Sequence, residues 1–113
     1  MNFSQEKING ILVEHVHLSR ATKDHAEQFK KFLMKDIEEN HFDMIVDLSE
    51  CEFIDSTFIS ALVTALKAIN QKEGSLKIIT NHSEVQSVLE LTGMVKVFEV
   101  HKDVKESVDS YRP

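Results

Sequence analysis

The most informative part of the chain reads Asp47-Leu48-Ser49-Glu50-Cys51-Glu52-Phe53-Ile54-Asp55-Ser56-Thr57. It follows the short apolar run Met44 to Val46, which is typical of a central strand covered on both faces, and it leads into a helical pattern. In an open α/β sheet, ligands and partners gather at the edge where such a strand ends. Asp55 and Ser56 are predicted at the start of the helix, where a side-chain oxygen caps the exposed amides.

The segments on either side of this stretch predict alternating strands and helices. Asn9-Gly10 lies between the segments Phe3 to Lys7 and Ile11 to Leu18 and predicts an antiparallel hairpin. Thr22 is expected to cap an amphipathic helix that ends near Asn40. Leu76 to Ile79 has the pattern of a second central strand. The sequence therefore predicts an α/β fold with a mixed sheet that is parallel in its centre.

Local signals also mark the ends of the later elements. Gly74 is expected to end the second helix in a left-handed conformation, and Ser83 is expected to cap a third helix. Gly93 would end that helix before a strand around Val95 to Val100. A last helix is predicted near residues 103 to 111.

Length and composition limit the kind of protein. The 113 residues predict one compact soluble domain over residues 1–113. The net charge of −6, without a run of basic residues, argues against a nucleic-acid partner. There is no apolar run that predicts a membrane span or a secretion signal, and the lone Cys51 excludes an internal disulfide. A cytoplasmic location and no membrane insertion are expected.

The helix after Asp55 has an unusual surface. No charged residue occurs from Ser56 to Leu66, although charged residues make up 28% of the chain. Helical spacing turns a set of small residues away from the core: Thr57, Ser60, Ala61, Thr64 and Ala68. Because docking surfaces are depleted of charge at their centre, this face predicts protein contact. A phosphate on Ser56 would add charge and bulk at its rim and expel a partner.

The motif Asp47-Leu48-Ser49 followed by Phe53-Ile54-Asp55-Ser56 resembles the signature of the STAS family, the sulfate transporter and anti-sigma factor antagonist domains. The single-domain bacterial antagonists are the most similar members. The resemblance extends over most of the chain, and residues 44 to 74 are its most specific part. It implies a STAS-like mixed sheet of about five strands with about four helices.

The resemblance also implies a function. In this family the serine of the Asp-Ser pair is phosphorylated by an anti-sigma factor serine kinase, and a metal-dependent protein phosphatase removes the phosphate. The resemblance therefore implies that this chain is an anti-sigma factor antagonist with Ser56 as its phosphoacceptor. Its unphosphorylated form would sequester the kinase and so regulate transcription that depends on a sigma factor. No enzyme activity and no cofactor are expected of the chain.

The chain departs from the family pattern directly after the serine. Antagonists commonly have a small residue and then glycine after the serine, whereas this chain has Thr57 and Phe58. Phe58 is predicted to serve as an aromatic anchor for a partner. The predicted partner-binding residues are therefore Asp55, Thr57, Phe58, Ser60, Ala61 and Thr64.

The sequence offers weaker signals for other functions. His15 and His17 share one face of a strand, but no third metal ligand is evident, and no metal site is expected. Cys51 has no second cysteine for redox chemistry. A phosphoaspartate receiver would use Asp47 but needs further carboxylates, so Asp47 is expected to brace the loop. Ser56 does not lie in the Gly-x-Ser-x-Gly motif that a serine hydrolase would need.

A different role within the family is also open, that of a non-switching scaffold subunit in a stress-signalling or lipid-transport complex.

Overall fold

A computed structural model of the protein describes residues 2–111. Its strands are β1 (Phe3–Ile8), β2 (Ile11–Val16), β3 (Arg20–Ala21), β4 (Asp43–Asp47), β5 (Phe53–Ile54), β6 (Ser75–Ile79) and β7 (Glu99–His101). Its α-helices are α1 (Lys23–Glu38), α2 (Ser56–Asn70), α3 (Ser83–Leu91) and α4 (Val104–Asp109), and a 3-10 helix spans Met94–Lys96. The described residues thus form the predicted STAS-like mixed α/β fold.

The main sheet has the strand order β1-β2-β4-β6-β7, and β3 pairs with β5 in a separate two-stranded sheet. In the main sheet the β1–β2 pair is antiparallel, and the β2–β4, β4–β6 and β6–β7 pairs are parallel. The turn between these strands uses Asn9 at a φ of 52° and Gly10 at a φ of 83°. Two positive φ values are the geometry that Asn-Gly supplies in a two-residue turn, so the predicted hairpin is confirmed.

Two layers of side chains cover the sheet. Helices α1, α2 and α3 pack on one face, where their buried residues include Phe29, Leu62 and Leu89. Helix α4 packs on part of the other face, where Val108 joins a smaller cluster with Val13. Covering both faces explains why β4 reads as an unbroken apolar run. No helix among the described residues has the length and apolar character that crossing a bilayer requires.

Three local predictions were wrong. The left-handed residue after α2 is Glu73, at a φ of 58°, and not Gly74. Glycine is required at position 74 for a different reason: a Cβ there would lie 2.1 Å from the Phe42 carbonyl oxygen. His82 is the N-cap of α3, and Ser83 is its first helical residue. The segment predicted as a strand from Val95 begins as the 3-10 helix, so β7 starts only at Glu99.

The prediction that Phe58 is an exposed anchor is also wrong. Its side chain is fully buried, at 0% exposure, and its ring stacks on Phe29 with centroids 4.4 Å apart and planes 13° apart. Helix α2 packs against α1 as well as against the sheet, so the first turn of α2 has two buried sides. Ala61, predicted on the exposed face, is likewise buried at 5% exposure for the same reason.

A buried polar cluster lies between β2 and α1. Glu14 is fully buried and neighbours the carboxyl group of Asp36, which is itself buried. With its amide nitrogen turned toward them, Gln5 donates to Glu14 Oε1 at 2.9 Å and to Asp36 Oδ2 at 3.0 Å. Burial, together with the hydrogen bond and the negative charge of Asp36, raises the pKa of Glu14 to about 10. Glu14 therefore keeps its proton at neutral pH.

The buried position of Phe58 predicts a large loss of stability on truncation. Phe58→Ala removes a ring from a close-packed site and should lower the free energy of unfolding by about 3 to 5 kcal/mol. Chemical denaturation measures the change. Leu91→Ala is the control, because Leu91 is 87% exposed and its truncation should stay within about 0.5 kcal/mol. Equal effects of the two substitutions would contradict the burial of Phe58.

The Glu14 cluster predicts how stability depends on pH. The folded state holds the Glu14 proton up to a pH of about 10, whereas the ordinary value for the unfolded chain is 4.5. The contribution of neutral Glu14 to stability is thus complete below pH 4.5 and is lost as the pH rises toward 10. Over this range the free energy of unfolding falls by at most about 1.4 kcal/mol per pH unit.

Glu14→Gln should remove this loss, because an amide keeps the shape of the protonated carboxyl and still donates toward Asp36. Denaturation curves at a series of pH values would show a flatter profile for Glu14→Gln than for the wild type. The exposed Glu52→Gln is the matched control and should leave the profile unchanged. Parallel profiles for the wild type and Glu14→Gln would refute the assignment.

Candidate functional site

The candidate site lies where β5 ends and α2 begins. The β3–β5 pairing sets Ala21 beside Ile54, so the N-termini of α1 and α2 lie next to each other. Asp55, the N-cap of α2, joins them. Its Oδ1 accepts a hydrogen bond from the Phe58 amide and its Oδ2 accepts one from the Lys23 amide, both at 2.9 Å. One carboxylate thereby caps two helices, and the predicted capping role of Asp55 is confirmed.

Ser56 is the first residue of α2, and both it and Thr57 are exposed. Within residues 2–111 neither of their hydroxyl groups has a hydrogen-bond partner. Further along the helix, Ser60 Oγ donates to the Ser56 carbonyl and Thr64 Oγ1 donates to the Ser60 carbonyl, each at 3.0 Å. The hydroxyl groups of Ser60 and Thr64 are therefore engaged with the backbone, whereas that of Ser56 is available for reaction.

The exposed small residues of α2 face a groove against α1. The groove has a volume of about 220 Å³ and is lined by Lys23, Ala26, Glu27, Lys30, Thr57, Ser60, Ala61 and Thr64. The α2 side of this groove is uncharged, as predicted, but α1 supplies charges along the other side. Glu27 pairs with Lys30 at 3.4 Å, and Lys23 has no ion pair within the described part of the chain. The sequence alone could not place these charged residues beside the α2 face, because their position depends on how α1 and α2 pack.

The other end of the β4–α2 connection is held by Asp47. Its Oδ1 accepts from the Ser49 amide at 2.9 Å, and its Oδ2 lies 2.7 Å from His15 Nδ1. The second nitrogen of His15 lies 2.6 Å from Glu6 Oε2. Asp47 thus braces the loop, as predicted.

The charge of His15 is controlled by these contacts. Burial disfavours the protonated ring, but the hydrogen bonds and charges of Glu6 and Asp47 outweigh burial and raise the pKa of His15. Through its contacts with Glu6 and Asp47, His15 ties two strands of the sheet to the start of the loop.

The remaining candidates have structural roles. His17 Nδ1 lies 2.7 Å from Glu50, and its Nε2 lies 2.7 Å from the Ser4 hydroxyl, so its ring links the hairpin to the loop. Among residues 2–111 no three potential ligands converge on a metal position. Cys51 is buried, and burial and the nearby carboxylates of Asp47 and Glu50 raise the pKa of its thiol to about 12. A thiol held in this way stays protonated and unreactive.

Comparison with known proteins supports one family. A candidate anti-sigma factor antagonist from Thermotoga maritima is 26% identical over 90 residues, which cover 79% of this chain and 80% of that protein. The crystal structure of an anti-sigma factor antagonist from Mycobacterium paratuberculosis matches with a TM-score of 0.89 at 17% identity, covering 98% of this chain and 93% of that one.

The Bacillus cell fate determinant SpoIIAA in its phosphorylated form also shares the fold. It matches with a TM-score of 0.73 at 14% identity and covers 97% of this chain and 99% of its own. The model of the STAS domain matches residues 20–107, which include both helix N-termini at Asp55 and the loop that Asp47 braces. The chain therefore belongs to the STAS domain family.

Proposed function

We propose that this chain is an anti-sigma factor antagonist whose contact with an anti-sigma factor is switched by phosphorylation of Ser56. The observation that carries the proposal is the exposed, unengaged Ser56 hydroxyl at the N-terminus of α2, next to the Asp55 carboxylate. The names of the Thermotoga and Mycobacterium relatives support the role, and the phosphorylated form of SpoIIAA supports the modification. The proposed partners are an anti-sigma factor serine kinase and a metal-dependent phosphatase that reverses its action.

The partner would dock over the start of α2 and the α1–α2 groove. Ser56, Thr57, Ser60 and Thr64 offer a small, uncharged surface there, and Asp55 lies at its rim. Phe58 has no part in this docking surface, because its side chain is fully buried, whereas Ala61 is 5% exposed and lies in the lining of the groove. The α2 side of this surface carries no long charged side chains, so covering that side costs little desolvation, while the charges of α1 lie along the opposite side of the groove.

Phosphorylation would act on this surface and leave the fold unchanged. A phosphate brings about 1.5 to 2 negative charges. At Ser56 the N-terminus of α2 favours these charges, so the folded monomer tolerates them. A docked partner would meet the bulk of the phosphate and the combined charge of phosphate and Asp55. The switch is then a local change of charge and shape at an interface.

We further propose that the chain acts by binding alone, without catalysis, and that it works in the cytoplasm. Ordinary catalytic groups near the loop are occupied: both nitrogens of His15 contact carboxylates, and the Cys51 thiol is buried. An ATP-dependent kinase as partner implies a compartment that contains ATP.

Ser56→Asp should separate binding from folding. The carboxylate adds charge at the first residue of α2, so the free energy of unfolding should change by less than about 1 kcal/mol while affinity for the anti-sigma factor falls at least tenfold. Ser83→Asp is the matched control, because Ser83 is also an exposed first residue of its helix. Titration calorimetry and thermal unfolding measure the two effects. Equal loss of binding in both variants would count against the Ser56 surface.

Incubation with ATP and the serine kinases of the same cell tests the modification itself. Mass spectrometry should find a phosphate on Ser56 in the wild type and none in Ser56→Ala, which should bind the anti-sigma factor constitutively. A wild-type chain that binds the complex but is never labelled on Ser56 would indicate the non-switching scaffold role instead.

A further inference from the structure

A second surface, independent of Ser56, lies along the free edge of the main sheet. Among the strands that the structure describes, β1 is the first in the order and pairs with β2 alone. Beside it lies a groove of about 500 Å³, more than twice the volume of the α1–α2 groove. Its lining residues come from the start of β1 and from one side of α1: Asn2, Phe3, Gln28, Lys31, Phe32 and Lys35.

The register of the β1–β2 pair determines which backbone groups of β1 point away from the sheet. The His17 amide donates to the Asn2 carbonyl at 2.7 Å, so Asn2 belongs to a hydrogen-bonded pair. Hydrogen-bonded and non-hydrogen-bonded pairs alternate along an antiparallel ladder. Ser4, Glu6 and Ile8 therefore bond to β2, whereas the amides and carbonyls of Phe3, Gln5 and Lys7 point away from the sheet. These outward groups form a template for a further strand.

The groove next to this template combines apolar and positively charged groups. The ring of Phe32 is half-buried and stacks on Phe3 with centroids 5.5 Å apart, which provides an apolar floor. Lys31 and Lys35 are exposed, and neither forms an ion pair with any residue from 2 to 111. In a chain with a net charge of −6, the charged residues of this groove are both lysines.

We propose that this edge binds an extended segment of another protein by strand addition to β1, and that the segment carries apolar and acidic side chains on the face that meets α1. The outward groups of Phe3, Gln5 and Lys7 would supply main-chain hydrogen bonds. The Phe3–Phe32 floor takes an apolar side chain, and Lys31 and Lys35 attract the carboxylates. Main-chain bonds give affinity in such complexes, and the side-chain pockets give specificity.

A second copy of the chain fits this edge poorly. If two β1 strands paired antiparallel around Gln5, Lys7 of one copy would lie opposite Phe3 of the other. It would thus approach Lys31 and Lys35 of that copy, and like charges at such a position destabilise the pairing. The same lysines that attract an acidic segment therefore disfavour self-association.

A synthetic peptide tests the proposal. In the probe every second residue is threonine, and the intervening positions alternate phenylalanine with glutamate, so one face of the extended peptide carries both chemistries. A control peptide has lysine in place of each glutamate. Fluorescence anisotropy with the labelled probe and the full chain should show saturable binding that weakens with added salt, and no binding of the lysine peptide.

Variants of the chain identify the groove. The Lys31→Glu/Lys35→Glu double variant should weaken binding of the glutamate probe at least tenfold. The Lys96→Glu/Lys102→Glu double variant makes the same change of charge at exposed lysines outside the groove and should bind as the wild type does. Equal weakening in the two double variants would mean that overall charge attracts the probe, and it would overturn the proposal.

Lys7→Pro tests the strand addition directly. Proline at this exposed edge position removes an outward amide but no bond to β2, so the fold should remain, which circular dichroism can verify. Binding of the glutamate probe should fall at least tenfold. Unchanged affinity in a folded Lys7→Pro chain would refute strand addition. Sedimentation that shows a wild-type dimer and a Lys7→Pro monomer would identify a second copy as the occupant and would also overturn the proposal.

Discussion

The carboxylate of Asp55 holds the candidate site together. A helix N-terminus exposes several backbone amides without partners, and two such termini side by side repel each other through their partial positive charges. Asp55 accepts from the Phe58 amide of α2 and the Lys23 amide of α1, so one negative side chain satisfies donors of both helices. The position of Ser56 is a consequence of this arrangement. A residue directly after a double cap is fixed in space while its side chain stays exposed.

The connection that leads to Ser56 is fixed at its other end by a different chemistry. Asp47 binds the Ser49 amide and His15, and His15 in turn contacts Glu6 of the edge strand. Two carboxylates around one imidazole favour its protonated form, which makes the contacts charge-assisted. Because both ends of the connection are held, a modification at Ser56 would meet a rigid surface. Its effect would then fall on the partner and not on the fold.

The sequence predicted those features that depend on local chemistry and periodicity. The Asn9-Gly10 turn, the order of the main-sheet strands and the α-helices along the chain, and the cap at Asp55 all follow from residue types at short spacing, whereas the short β3–β5 pair was not predicted. The burial of Phe58 and of Ala61 could not be predicted, because it depends on the packing of α2 against α1, and the apolar stripe of α2 alone points only toward the sheet. The buried Glu14 was missed for a similar reason, since only the tertiary fold brings Asp36 and Gln5 to it.

Helix α1 relates the two proposed surfaces. Its buried stripe, which includes Phe29, fixes the helix against the sheet, and its two sides then face different grooves. Lys23 and Lys30 line the groove toward α2, whereas Lys31 and Lys35 line the groove toward β1. A partner at Ser56 and a strand on β1 would thus contact different sides of one rigid element. Occupation of one surface leaves the other open, and coupling between them would require α1 to move against a close-packed core.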